Sequence, residues 1–552
     1  MKATDYILNP ALFATRYAAD TSGFIGYSHY GKHGCNETVP PHVAEENIRR
    51  QGLGELYHAP YDGKKGCCGE WGFTFLNLRG YYAGDGMLAE GCGWIENPPR
   101  DDADAVAIMR RWIFKQYAGK PYYLEEGATG MTSFNGHTLF QHYAASWGFD
   151  HIGAEIGENI ACYQAHMAFT RGAARQYGCV PLMYFSNWNQ GTIGTEELHP
   201  TWPQGLPTGG HSMSILRRAF LMSYFGGAAS FTFEAGANLA FYGPERVTEE
   251  GLLELTPYGR MMQELVAFSA KHPHIGYTYT PIGVVLDHYH GLALCSALES
   301  GTGLRHDMAF GYFPNTAGDE MTREFFKKLY AGAGFFTWRD WYSQAPEQMH
   351  LLNTPYGDTH DVITHTASQE VLNSYPVLVL MGDIQLTEEE ARRYVTYVRQ
   401  GGTLLCNTAY LRFFADYQAA YDAGAQTIAD GEGTVIVYGP DYSVEALDAI
   451  LKEQIKKYIP FTLSDEVEYL VNVKDGSLIL TLINNEGVTK VYNEAPITDP
   501  SKAKTLTVTY TGDEPVVQVK ELYYGETVEV DGNAVTVTVG PGDVQVLEFM
   551  FG

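Results

Sequence analysis

Two glutamates, Glu155 and Glu234, stand where short apolar segments of the sequence give way to small residues. Glu155 lies within GAEIGEN, and Glu234 follows SFTF and precedes Ala-Gly. A buried carboxyl group costs free energy unless it is paired or used in chemistry. Cleavage of a glycosidic bond needs two such groups, one to protonate the leaving oxygen and one to attack the anomeric carbon or activate water. We therefore predict that Glu155 and Glu234 are catalytic, with Glu158 as the alternative to Glu155.

The structural alternative is that these glutamates form salt bridges that close the end of a sheet. The sequence offers Arg79, Arg171 and Arg175 as partners. Arg171 and Arg175 are one helical turn apart in FTRGAARQYG, so they share one face of a helix with small residues between them. We expect this arginine pair to have a structural role, tying the helix to the sheet through buried carboxylates.

Other polar and aromatic residues also follow predicted strands and are candidates for binding a substrate. Trp188 lies between two asparagines, and an indole face beside amide groups suits a sugar ring. A loop tryptophan that packs on a helix and a structural histidine at position 29 are the alternatives at these sites. The predicted substrate-binding residues are His29, Tyr30, Asn77, Arg79, Glu125, Asn187 and Trp188.

The elements that would position these residues alternate between strands and helices over residues 1–276. The predicted strands are 23–28, 72–78, 122–126, 151–156, 180–185 and 228–233, and 52–57 is a seventh candidate. The predicted helices are 102–117, 164–177, 212–224 and 252–271. Such alternation indicates a parallel sheet, and its length favours a (β/α)8-like TIM barrel, complete or with strands missing. In a barrel, functional side chains gather at the carboxyl ends of the strands.

Two further domains are expected after the barrel. In residues 277–440, the buried strand at 376–381 leads to a helix with a Thr387–Glu390 capping box, and a Gly401-Gly402 stop precedes the next strand. This pattern predicts a flavodoxin-like doubly wound domain. From about residue 462 the apolar residues alternate with period two between turns such as Asp531-Gly532, so residues 441–552 are expected to form a small β-sandwich.

Composition narrows the classes of partner. The formal net charge of −28 disfavours nucleic acid and anionic membranes, and no apolar stretch is long enough for a membrane span. The eight cysteines fit no zinc spacing, and the phosphate-binding and metalloprotease motifs are absent from the sequence, so no metal or organic cofactor is expected. The start MKATDYILNPALF lacks a signal-peptide pattern, which favours the cytoplasm, or the periplasm or medium if a signal has been removed.

The order of these domains resembles the β-galactosidases of glycoside hydrolase family 42, in the clan of (β/α)8-barrel glycosidases. The resemblance rests on TPYGRMMQELVAFSAKHPHIG with TPIGVVLDHYHG, and on YPVLVLMGDIQLTEEEARRYVTYVRQGGTLL. It implies an acid/base glutamate after the fourth strand, matching Glu155 or Glu158, and a nucleophile after the seventh, matching Glu234. It also implies a homo-oligomer, a trimer or a dimer. The family's Asn-Glu pair and four-cysteine cluster have no counterpart here.

The resulting hypothesis is a retaining exo-glycoside hydrolase that acts on a neutral oligosaccharide or glycoside with two glutamates. One alternative is a polysaccharide lyase for a uronate-containing glycan, using Tyr27, His29 and Arg79. The other is a non-catalytic carbohydrate-binding or assembly protein.

Overall fold

A computed structural model describes fourteen parts of the chain. The described residues are 26–29, 41–53, 99–117, 132–135, 138–149, 151–157, 162–186, 211–234, 240–242, 245–292, 313–332, 347, 350–490 and 494–552. Their strands form three units along the chain, each built on its own sheets.

The first unit is a parallel sheet in the order β1-β5-β4-β3-β2. Its strands are β1 (Gly26–His29), β2 (Thr132–Asn135), β3 (His151–Gly157), β4 (Val180–Ser186) and β5 (Ser230–Glu234). Among the described residues the sheet is open. Its last strand along the chain, β5, pairs with its first strand, β1.

Helices accompany this sheet. They are α1 (Pro41–Arg50), α2 (Asp102–Tyr117), α3 (Phe140–Ser146), α4 (Tyr163–Tyr177), α5 (Met213–Phe225) and α6 (Pro257–Lys271). Local chemistry sets their ends. The hydroxyl groups of Ser212 and Thr256 accept hydrogen bonds from the first turns of α5 and α6, and Pro257 fits the first position of α6.

The second unit is a six-stranded sheet in the order β11-β12-β10-β9-β7-β8, parallel except for the β11 edge. Its strands are β7 (Ile282–Leu286), β8 (His360–Thr364), β9 (Val377–Leu380), β10 (Thr403–Asn407), β11 (Thr427–Asp430) and β12 (Gly433–Tyr438). Its helices are α7 (Ala317–Leu329), α8 (Gln369–Asn373), α9 (Glu388–Arg399) and α10 (Ala415–Asp422). The helix α11 (Glu445–Tyr458) follows it.

The third unit contains two antiparallel sheets and a short ribbon, with orders β13-β18-β21-β20, β19-β22-β15-β14-β6 and β16-β17. The strands are β6 (Tyr277–Thr278), β13 (Phe461–Leu463), β14 (Glu468–Lys474), β15 (Ser477–Ile483), β16 (Val488–Thr489), β17 (Ile497–Thr498), β18 (Lys504–Tyr510), β19 (Val516–Glu521), β20 (Val530–Asp531), β21 (Ala534–Val539) and β22 (Val544–Phe551). The strand β6 comes from the segment that leaves the first unit, so this segment is part of a sheet otherwise built from the end of the chain.

Most predicted elements agree with the described ones to within a few residues. The predicted helix at 102–117 is confirmed in full, and the Thr387–Glu390 capping box is present with both of its hydrogen bonds. The helix expected at 252–271 is shorter, because Pro257 begins it. The strand β2 and the helices α1 and α3 were not predicted. The strands expected at 72–78 and 122–126 lie outside the described residues.

One buried apolar cluster runs through all three units. It includes Ile152 and Phe169 from the first, Val284 and Val379 from the second, and Leu480 from the third. Because these side chains share one core, the units pack against one another without a solvent-filled gap at this place.

Candidate active site

The carboxyl edge of the first sheet, where its parallel strands end, brings Glu155 and Glu234 to nearby register positions. The Cα of Glu155 pairs with Tyr184 of β4, and Tyr184 pairs with Thr232 of β5, two residues before Glu234. Glu234 itself pairs with His29 of β1. With strands about 4.8 Å apart and a rise of about 3.3 Å per residue, the two glutamate Cα atoms are roughly 12 Å apart.

The strand positions of the two glutamates also share one face of the sheet. Ile156 and Phe185 pack with residues of α4 and α5 in one buried cluster, which marks the helix-covered face. Tyr184 belongs to a separate cluster on the opposite face, here called the inner face. Since successive strand residues alternate between faces, Glu155 is on the inner face with Tyr184, and position 234 has the same parity. The Glu155 side chain is 1% exposed.

The position of β5 in the sheet bears on the resemblance to family 42. That resemblance implies that one glutamate follows the fourth strand and the other follows the seventh, so that their strands are three positions apart. In the described sheet only β4 lies between β3 and β5, and β5 neighbours β1. The pair is therefore one strand closer together around the sheet than the family pattern implies.

Several predicted site residues fall outside the described part of the chain. These are Glu158, Tyr30, Asn77, Arg79, Glu125, Asn187 and Trp188. For His29 and Glu234 the structure describes the strand position and not the side chain. The roles of all these residues stay predictions.

Arg171 does not serve as the salt-bridge partner of Glu155. Its five N–H donors are all used elsewhere: on both carboxylate oxygens of Asp358, on Asp361, and on the carbonyl oxygens of Gly226 and His360. Arg175 also contacts Asp361. The structural role predicted for Arg171 and Arg175 is confirmed, but the expectation that they tie α4 to its own sheet is corrected. The carboxylates come from the second unit, because α4 packs directly against β8.

A buried polar cluster that the sequence did not reveal lies behind the carboxyl edge. Glu347 accepts hydrogen bonds from the backbone N–H of Ser212 at 2.6 Å and from the Ser212 hydroxyl, and its Oε2 lies 3.2 Å from Nδ1 of His211. Burial acts to raise the pKa of Glu347, but the contacts with His211 and Ser212 outweigh it and hold the pKa below its usual value. The His211 ring lies 5.6 Å from that of Phe185, near the end of β4. This cluster fixes the start of α5 behind the strands that carry the site.

The carboxyl edge of the second sheet is the place where an open α/β sheet would bind a ligand, next to the strand at which the order reverses. Here protein atoms fill much of it. His290 Nε2 lies 2.6 Å from Asp319 Oδ1, and Gly318 packs so closely on Asp383 that an added Cβ would come within 2.4 Å of its Cγ. The described residues at this edge therefore leave little room for a phosphate group.

Within the described ranges, none of the helices combines the length and the apolar character needed to cross a bilayer. In the same ranges, no group of three or more His, Cys, Asp or Glu side chains is arranged to hold a metal ion. Cys162, Cys179 and Cys406 are buried, and none of the three forms a disulfide.

Comparison with known proteins gives matches only among solved structures; no family model and no curated protein matches the chain. The chain is similar to glycoside hydrolases. A β-galactosidase from Bacillus circulans sp. alkalophilus is 12% identical, with 92% of this chain and 81% of that chain covered and a TM-score of 0.45. The family 42 β-galactosidase Gan42B from G. stearothermophilus is 10% identical, with 81% and 67% covered and a TM-score of 0.43. The α-L-fucosidase isoenzyme 2 from Paenibacillus thiaminolyticus is 10% identical, with 83% and 73% covered and a TM-score of 0.44.

Proposed function

We propose that the protein is a retaining exo-glycoside hydrolase that acts on a neutral oligosaccharide or glycoside. The observation that carries the proposal is that the positions of Glu155 and Glu234 share one face of a parallel sheet. Both lie close to its carboxyl edge, and one strand separates them. Carboxyl groups from separate strands at this edge are what a two-carboxylate hydrolysis needs.

In the proposed reaction, Glu234 attacks the anomeric carbon and forms a covalent glycosyl-enzyme while Glu155 gives a proton to the departing oxygen. Glu155 then accepts a proton from water as the water attacks the anomeric carbon and releases Glu234. This division of work requires carboxyl groups about 5–5.5 Å apart, whereas an inverting enzyme needs roughly 6.5–9.5 Å. Glutamates that point inward from Cα atoms on the same face can reach the shorter separation.

The charge of the protein supports a neutral substrate. At a net charge of −28, a uronate or sulfated chain would be repelled, while an uncharged sugar would not. The lyase alternative, which needs an anionic glycan, has no such support.

We also propose a fold for each of the three units. We interpret the first sheet as part of a (β/α)8-like barrel over residues 1–276. The second sheet, whose parallel order runs 2-1-3-4-5 from β8 to β12, corresponds to a flavodoxin-like domain, and the third unit corresponds to a β-sandwich. A homo-oligomer, either a trimer or a dimer, completes the proposal.

The test is hydrolysis of a panel of aryl glycosides by the wild-type protein and by Glu234→Gln. We expect turnover of at least one glycoside and its reduction by about 10³-fold or more in the variant. Glu249→Gln, at an exposed position of a described loop, is the matched control and is expected to keep full activity. Retention is checked by following the anomeric configuration of the first-formed product. Full activity of Glu234→Gln, or a product that absorbs in the ultraviolet because a new double bond has formed, would contradict the proposal.

A further inference from the structure

A second site is suggested by a groove of about 1070 Å³ in the third unit, far along the chain from the glutamates. Thr507 of β18 and Thr536 and Thr538 of β21 line it, and the segment from Glu526 to Asp531 forms its rim. The three threonines lie at exposed positions of their strands. The groove is larger than most sites for a single small molecule, so it has room for several linked sugar rings.

An exposed aromatic ring, Tyr524, lies at this groove and is held rigidly. Tyr524 is 44% exposed, its hydroxyl donates a hydrogen bond of 2.6 Å to Asp543, and the ring of Tyr523 meets it edge-on at 4.9 Å between centroids. A fixed, exposed ring loses little freedom when a sugar stacks on it.

The loop that carries Tyr524 is organised by one buried carboxylate. Glu521, which is 4% exposed, accepts hydrogen bonds from the backbone N–H groups of Tyr523, Tyr524, Gly525 and Val546, at 2.5 to 3.2 Å. Four main-chain donors on one carboxylate fix the loop before any ligand arrives. The tyrosine platform is thus part of the folded structure.

A side-chain amide also lines the groove. It belongs to Gln545, which is 7% exposed. An amide offers two donors and an acceptor. Hydroxyl groups of a ligand in the groove could bond to them.

The charges around the groove select the class of ligand. Glu526, Glu529, Asp531 and Asp543 line it, and the described lining contains no lysine or arginine. Carboxylates accept hydrogen bonds from sugar hydroxyls and repel anionic sugars. We propose that this groove is an accessory binding site for a neutral oligosaccharide, with Tyr524 stacking on a sugar ring and Gln545 and the threonine hydroxyls bonding to its hydroxyl groups.

The test is electrophoresis of the full-length Glu234→Gln protein in native gels that contain soluble galactomannan or arabinogalactan, with polygalacturonate as the anionic comparison. This background variant prevents degradation of the polysaccharide. We expect retardation by at least one neutral polysaccharide, and an increase of about tenfold in the apparent Kd when Tyr524→Ala is added. The double variant Thr536→Val, Thr538→Val keeps side-chain shape at exposed strand positions and is expected to weaken binding as well. Ile497→Ala, an exposed apolar residue of the same unit that does not line the groove, is expected to bind as the background does.

The thermal unfolding midpoint of each variant shows whether it is folded. If Tyr524→Ala does not fold, the threonine variant still tests the proposal. Retardation by neither neutral polysaccharide would overturn the proposal, as would retardation only by polygalacturonate. Retardation that the folded groove variants leave unchanged would place binding elsewhere and would also overturn it. Because the test reads binding and not turnover, its failure would be distinct from failure of the proposed hydrolysis.

Discussion

Arg171 holds Asp358 through two parallel hydrogen bonds, from Nη1 to Oδ2 and from Nη2 to Oδ1, each 2.8 Å long. Both side chains are almost fully buried, at 4% and 2% exposure. Arg171 belongs to helix α4 of the first unit and Asp358 to the segment before β8 of the second, so this pair joins the two units through a planar, bidentate contact.

Removal of one partner of this pair is expected to destabilise the whole protein. In Asp358→Asn the guanidinium of Arg171 would lose part of its charge compensation while it stays buried, and we expect the free energy of unfolding to fall by about 3 kcal/mol. Chemical denaturation followed by fluorescence measures this change. The control is Glu453→Gln, which removes the exposed Lys456–Glu453 pair and is expected to leave the unfolding midpoint unchanged.

Gly172 is expected to be irreplaceable in α4. A Cβ at this position would come within 1.8 Å of the carbonyl oxygen of Val362 in β8, a backbone atom that cannot move away cheaply. Although alanine favours a helix over glycine by about 1 kcal/mol, we expect Gly172→Ala to lower stability by about 2 kcal/mol or more. The matched comparison is Ala449→Gly at an exposed position of α11, where alanine should be the more stable residue. If Gly172→Ala is as stable as the wild type, the contact between α4 and β8 is not as close as described.

The roles of Glu155 and Glu158 can be separated by the leaving group. If Glu155 is the acid, Glu155→Gln should impair hydrolysis of alkyl glycosides by about 10²-fold or more, and hydrolysis of dinitrophenyl glycosides much less, since a dinitrophenolate leaves without protonation. The measurement is kcat/KM for both substrates. Glu158→Gln is expected to lack this dependence; the reverse result would assign the acid to Glu158.

Stability is expected to fall as the solution is acidified below about pH 6.5, partly because of His142. Burial lowers the pKa of His142 to about 3, aided by nearby His288. Its Nε2 lies 3.0 Å from the carbonyl oxygen of Val362, and its buried Nδ1 has no partner among the described residues. Between pH 6.5 and about pH 3, His142 binds a proton in the unfolded chain but not in the folded protein. The free energy of unfolding therefore falls by roughly 1.4 kcal/mol for each pH unit of acidification, as far as this group is concerned.

The variant that tests this dependence is His142→Gln, which can donate to Val362 but does not titrate in this range. We expect a flatter curve of unfolding free energy against pH between 6.5 and 4 than in the wild type. His274→Gln, at an exposed position, is the control and should leave the slope as it is. An unchanged slope in His142→Gln would contradict the assignment. Burial also lowers the pKa values of His288 and His360, each to about 4, so part of the slope is expected to remain.

Features that depend on a few neighbouring residues could be predicted from the sequence. The capping box of α9 needs only Thr387 and Glu390, three residues apart, and the helix α2 follows from its own pattern. The parallel arrangement of the first sheet could also be inferred, because strands and helices alternate along it.

Long-range contacts could not be predicted in this way. Asp358, the partner of Arg171, is 187 residues further along the chain, and a single sequence gives no sign of such a pairing. The strand β6 has two residues, which is too short for any periodic pattern. The groove beside Tyr524 depends on how three strands and a loop meet, and its buried glutamine looks like an ordinary surface residue in the sequence. For the glutamates, the strands were predicted, whereas their spacing around the sheet required coordinates.

The short strand β6 determines where the chain can be cut to make a shorter protein. Tyr279, just after β6, donates a backbone hydrogen bond of 2.8 Å to Val471 of β14, so the polypeptide departs toward the second unit and returns from it at adjoining points. The intervening segment is topologically an insert. Excision of that insert would leave the buried Arg171 and Arg175 without the carboxylates of Asp358 and Asp361. A cut between the first unit and everything after it would remove a strand from the last sheet. A shorter form of this protein therefore needs new residues on the exposed face of α4 as well as a new connection.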